Sequence, residues 1–137
     1  MQAIELLKQN HYTCVAIKDD IIYHSNLKGI APLLNPMLEN EKYFEGMEVA
    51  DKVIGKSAAM LLIKSHVKHI HAVILSNHAK NILDTYHVSY TYEHLVPYIV
   101  NRTQDGMCPM EQTVLEIEDL DEAFIALVKK REELIKK

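Results

Sequence analysis

The chain has 137 residues, of which 48% are hydrophobic and 25% charged, the composition of one globular domain large enough to fold without disulfide or metal staples. Its formal net charge of −4 and its two arginines, Arg102 and Arg131, argue against a nucleic-acid binder, whose footprint is clustered Lys and Arg. With only Cys14 and Cys108, it has neither a disulfide framework nor a four-cysteine zinc site.

Gln2 to Asn10 set Ile4 and Leu7 on one side and suit a short amphipathic helix. Charges at Glu5 and Lys8 are unlike a signal peptide, and no apolar run approaches the roughly 20 residues of a membrane span, so the expected compartment is the cytoplasm. Thr13–Ile17 and Ile21–His24 read as an early β-hairpin turning at Lys18, Asp19 and Asp20. Asn26–Asn40, with Pro32 and Pro36, reads as one kinked or two short helices.

Val49–Lys64 reads as a long helix in which Gly55, Ser57, Ala58 and Ala59 let another backbone approach closely. Ile70–Leu75 is a central strand, Ser76 and Asn77 cap a helix running to about Tyr86, and Val88–Tyr92 is extended again. Val96–Val100 and a polar loop, Asn101–Gly106, follow. A helix opens at Cys108–Pro109, and another runs from about Asp119, where Asp119 and Glu122 form a capping pair. This order predicts a single layered α/β domain over residues 1–137.

Several residues could carry chemistry. Cys108, beside Pro109 at a helix start, is either a thiolate-stabilised nucleophile or a small space-filling residue. Glu111 then falls near the third helical position, as a capping acid or a proton donor and acceptor. Lys56 lies among small residues, where desolvation would suit it to bind an anion or act as a nucleophile, unless its stem reaches solvent with Lys52 one turn earlier. Asp51 either favours the helix dipole or points toward Lys56; Ser57 adjoins it. Arg102, with Asn101, could recognise a carboxylate or phosphate, and a solvated loop explains the same composition equally well.

His66, His69, His71 and His78 invite a metal reading, but no compact ligand motif holds them, and partly exposed strand-end histidines are expected with no metal or other cofactor. The basic tail around Lys129 and Lys130 is interrupted by Glu132 and Glu133 and reads as a solvated helix.

Three segments, Val49-Ala-Asp-Lys-Val-Ile-Gly-Lys-Ser-Ala-Ala-Met-Leu-Leu62, Val96-Pro-Tyr-Ile-Val-Asn-Arg102 and Gly106-Met-Cys-Pro-Met-Glu111, resemble the family called domain of unknown function 1893 over nearly the whole chain. The resemblance implies a divergent branch of the cytidine deaminase-like fold, a three-layer α/β/α sandwich. It does not imply deamination, because the H-x-E and P-C-x-x-C zinc signatures are missing. By resemblance, the helix holding Lys56 corresponds to the one that carries H-x-E, which sets the lysine near the former metal site.

Two functions are expected from these observations. One is a zinc-independent enzyme or binder acting on a small anionic or nucleotide-like molecule. Its catalytic set is Cys108, Lys56, Glu111 and Asp51, and its binding set is Arg102, Asn101, Lys52 and Ser57. The other is a noncatalytic metabolite-sensing or oligomeric module, with a homodimer as the expected assembly and neither nucleic acid nor membrane as partner.

Overall fold

A computed structural model describes residues 2–100 and 106–135. Its elements are α1 (Gln2–Gln9), β1 (Cys14–Lys18), β2 (Ile21–Ser25), α2 (Ala31–Glu39), β3 (Glu48–Ile54), α3 (Lys56–Lys64), β4 (His69–Ser76), α4 (Asn77–Thr85), β5 (Ser89–Val96), α5 (Pro109–Val114) and α6 (Leu120–Ile135). The strands form one open sheet in the order β2-β1-β3-β4-β5. β1 runs antiparallel to both β2 and β3, whereas β3, β4 and β5 are mutually parallel. The described residues therefore form a mixed α/β fold with a five-stranded open sheet and six helices.

Two apolar clusters flank the sheet. Ala3 and Leu7 of α1 pack with Val15, Ile17 and Ala50. The larger cluster joins Cys14, Ala16, Val49, Ile70 and Ala72 to the buried residues of α2, α3, α4, α5 and α6.

The expected long helix over Val49–Lys64 is the main correction. Its first half is the central strand β3, and only Lys56–Lys64 is helical. Three of the seven β3 residues are β-branched, and the strand is hydrogen-bonded on both edges with Val49, Ala50, Asp51 and Ile54 buried. Pairing and burial on this scale outweigh a modest local helix preference. Gly55 consequently is no mid-helix residue but the N-cap of α3. Asp51 and the exposed Lys52 lie on a strand, not on the turn of helix preceding Lys56.

Smaller differences have local causes. The extended segment expected at Val88–Tyr92 continues to Val96, and beyond it Val100 makes an antiparallel bridge to Met107. Asn26–Asn40 gives a single helix, with Pro32 in its first turn and Pro36 inside it. Pro36 has no N–H to give the carbonyl of Pro32 four residues earlier, and the Tyr23 hydroxyl donates to that oxygen instead at 2.6 Å. The hairpin, β4, the Ser76 cap with its hydroxyl accepting from the Ala79 N–H at 3.0 Å, and the Pro109 start of α5 agree with the sequence. Asp119 also caps as expected, its carboxylate accepting the Glu122 N–H at 2.7 Å.

Three histidines take a structural part that their metal-binding reputation hides. His11, His66 and His87 have left-handed backbones, with φ of 57°, 61° and 57°. They follow the C-terminal ends of α1, α3 and α4, a position that glycine usually fills. At the end of α3, the His66 N–H reaches Ile63 O at 3.0 Å and the Val67 N–H reaches Leu62 O at 3.2 Å.

Candidate functional site

The N-terminus of α3 presents free backbone N–H groups, and Gly55 caps them with no side chain of its own. Glu111 supplies the missing acceptor from the first turns of α5. Its Oε1 accepts the Lys56 N–H, while its Oε2 accepts the Ser57 N–H at 3.0 Å and the Ser57 hydroxyl. All three residues are buried. A carboxylate here meets both the orphan amides and the positive end of the helix dipole. Gly55 is required for this approach, since a Cβ at that position would overlap the Glu111 carboxyl group. The small residue therefore admits an acid, not the neighbouring backbone expected from sequence.

Lys56 returns the favour at the other end of α5. Its Nζ donates to the carbonyl of Leu115, the C-cap of α5, at 3.1 Å and to Glu118 Oε1 at 3.2 Å. Helix ends of opposite dipole sign thus receive side chains of the complementary charge from each other. The Lys56 side chain is 7% exposed and that of Glu118 is 74% exposed. Beside them lies an open groove of about 610 Å³, lined by Lys56, His78, Asn81, Thr85, Glu116 and Glu118 among others. His78, Asn81 and Thr85 come from α4, and nothing in their local sequence pairs them with Lys56.

The other expected residues are dispersed. Cys108 is the N-cap of α5 and is half-buried; its side chain makes no capping hydrogen bond, and it does not line the groove. Arg102 and Asn101 lie outside the described residues. Asp51 is buried on β3 opposite Cys14 of β1, in an apolar interior. Burial raises the Asp51 carboxyl from its usual 3.8 to about 7, against the opposing pull of the Val53 N–H and the Cys14 thiol. Burial, reinforced by Asp51, likewise pushes the Cys14 thiol up. Cys14 is thus the cysteine set beside an acid; its place in an apolar hairpin strand gave only burial away.

The four histidines do not converge. His66 ends α3, His78 faces the groove, and His69 meets Ser89 at 2.7 Å. His71 is held by Thr91 Oγ1 at 2.7 Å and by Glu93 Oε2 at 2.9 Å, and Lys8 of α1 reaches the same Glu93 oxygen at 2.8 Å. Hydrogen bonds from Lys8 and His71 hold the Glu93 carboxyl down at about 2. Among the described residues, no three His, Cys, Asp or Glu side chains gather as a metal-binding group. No helix of the described residues is long and apolar enough to cross a membrane.

A smaller depression of about 350 Å³ lies at the opposite end of α3. There Lys64 is paired with Asp121 and, at 2.8 Å, with Glu41, and it sits over the Phe124 ring at 5.4 Å. These acids raise the Lys64 amine above its ordinary range.

Comparison with known proteins gives one family and one fold. The family model described as "Domain of unknown function (DUF1893)" matches residues 2–130. The crystal structure of a DUF1893 family protein from Thermotoga maritima superimposes with a TM-score of 0.84 and 29% identity, covering 94% of this chain and 87% of that one. No curated protein matches.

Proposed function

Since the chain belongs to the family described as Domain of unknown function (DUF1893), whose description names no reaction, we propose from the site itself that the protein binds a small anionic or nucleotide-like molecule without transforming it. The observation that carries this reading is the unequal burial of one ion pair: Lys56 is 7% exposed and its partner Glu118 is 74% exposed. A buried cation held by a solvated carboxylate is a cation with an exchangeable partner, because the exposed acid can turn back to water and leave the amine to another anion. An incoming carboxylate or phosphate replaces Glu118 on the Lys56 amine. His78, Asn81 and Thr85 supply imidazole, amide and hydroxyl groups for the remainder of the molecule.

Binding without chemistry suits the other residues. Both Glu111 oxygens are engaged by α3, so its part is to hold Lys56 and Ser57 in place. Cys108 stands at the N-cap of α5, away from the groove lining. Asp51 and Lys52 belong to β3 and have no part in this reading, and Arg102 and Asn101 enter it only through their sequence proximity to Cys108. The finer fold assignment belongs here too. Helices on both faces of the sheet support an α/β/α sandwich over one domain of residues 1–137, and the resemblance to the cytidine deaminase-like fold implies that Lys56 stands near the place where the deaminases keep their metal. A cytoplasmic, dimeric protein fits the cysteine content and the margins of the sheet.

The test is thermal stability measured against inorganic phosphate, nucleotides and sugar phosphates, since a ligand of the folded state alone raises stability by mass action. The expected result is a saturable rise that is lost in Lys56→Met and retained in Cys108→Ser. Glu118→Gln, which removes the competing charge from an exposed position, is expected to tighten binding several-fold. A panel that shifts nothing, or a shift that Lys56→Met leaves intact, overturns the reading.

A further inference from the structure

The two margins of the sheet differ. At one, β2 is five residues long and follows the charged turn at Asp19 and Asp20. At the other, β5 is eight residues long, and among the described residues no strand pairs with its outer side. An unpaired strand of this length is a template for another strand, and sheet proteins commonly guard such margins with lysine, proline, bulges or very short strands. None of these guards occurs within Ser89–Val96. Its one acid, Glu93, is tied to Lys8 and His71. Tyr92 and Leu95 remain 40% and 42% exposed, and Tyr98 and Val100, which follow β5 in sequence, are 42% and 48% exposed.

We propose that β5 pairs with β5 of a second copy of this chain, antiparallel and about a two-fold axis through Tyr92, joining two sheets into one. The occupant and register both follow from the strand. A two-fold axis normal to the sheet keeps each face on its own side, so paired residues share parity along the strand. Two such registers cover most of Ser89–Val96: one centred on Tyr92 and one centred on Glu93.

Centring on Glu93 sets two carboxylates directly opposite each other, which is unfavourable. Centring on Tyr92 sets Thr91 against Glu93 of the partner subunit, Tyr90 against the partner's His94, and Ser89 against the partner's Leu95, with no like charges opposed. Tyr90 is already fixed for this contact, its hydroxyl donating to Asp84 at 2.6 Å while its ring stacks on Tyr92 at 6.3 Å.

The register gives a direct experiment. Directly opposed residues of an antiparallel pair have Cα atoms roughly 4.5 to 5.5 Å apart, within the span that a disulfide bridges. In a Cys108→Ser background, Tyr92→Cys is expected to form a covalent dimer under mild oxidation, whereas Ser89→Cys, which faces the partner's Leu95, is not. Light scattering of the unmodified protein at micromolar concentration should give twice the chain mass, and Tyr92→Lys should halve it with an unchanged circular dichroism spectrum. A monomeric wild-type protein overturns the proposal. So does a dimer that survives Tyr92→Lys, that dissociates on Ile22→Lys at the β2 margin instead, or that crosslinks equally through Ser89→Cys.

Discussion

Glu111 and Asp51 are equally buried, each at 5% exposure, yet the molecule treats them in opposite ways. Glu111 stands where α3 offers two amides and a hydroxyl, so its two oxygens accept from donors that would otherwise be orphaned. Asp51 stands mid-strand with the Val53 N–H at 3.1 Å and the Cys14 thiol beside it, and burial drives its carboxyl up to about 7. Burial alone therefore does not identify a working acid; the donors that face each carboxyl set the two apart.

Removing Glu111, or crowding it from Gly55, is the strongest way to break this contrast. Glu111→Ala strands two amides and a hydroxyl, and a loss on the order of 4 kcal/mol is expected in denaturant unfolding. Gly55→Ala pushes a methyl group into the same carboxylate and should cost on the order of 3 kcal/mol. The double variant should lose less than the sum of the two, because the first change removes what the second collides with. Additive losses would show that the two residues do not meet.

Asp51 predicts a pH dependence of definite sign. Its folded pKa of about 7 lies above the 3.8 of an unperturbed carboxyl. Between about pH 4 and 7 the unfolded chain gives up this proton while the folded chain keeps it, so stability falls as pH rises through that window and levels off above it. Asp51→Asn, which holds the neutral shape throughout, should lack that decline. Its stability relative to wild type should therefore improve from pH 4 to pH 8 by on the order of 3 kcal/mol. A pH-independent difference between the two proteins would remove Asp51 as the cause.

The smallest effect sharpens the Glu111 half of the contrast. Ser57→Ala deletes one of three donors while leaving both amides on the carboxylate, and a cost of about 1 kcal/mol is expected. A cost as large as that of Glu111→Ala would mean that the hydroxyl, and not the helix terminus, carries the contact.

Much of this arrangement was legible in local sequence, and the part that was not is long-range. Pro109 after Cys108, Ser76 before α4 and the alternation around Lys18–Asp20 are local signals, and the elements they mark stand where expected. Residues 49–54 carry no such mark. Alanine and a following helix favour one state, β-branched residues the other, and pairing with β1 and β4 decides between them. Lys56, Ser57 and Glu111 were each identifiable as candidates, but their meeting joins positions 55 and 54 residues apart and depends on α5 docking against α3. The Cys14–Asp51 pair was missed because opposition across two strands leaves no trace within either one.

The contact of Gly55 with Glu111 also constrains descent. Neither position is free to change first: a side chain at 55 needs a shorter residue at 111, and a shorter residue at 111 uncaps α3. Substitutions here should be inherited together, and a lineage that has gained a side chain at 55 should also have gained a new acceptor for the amides of α3. The pair is then a marker for sorting descendants of this fold that have kept the α3–α5 fastening from those that have reinvented it.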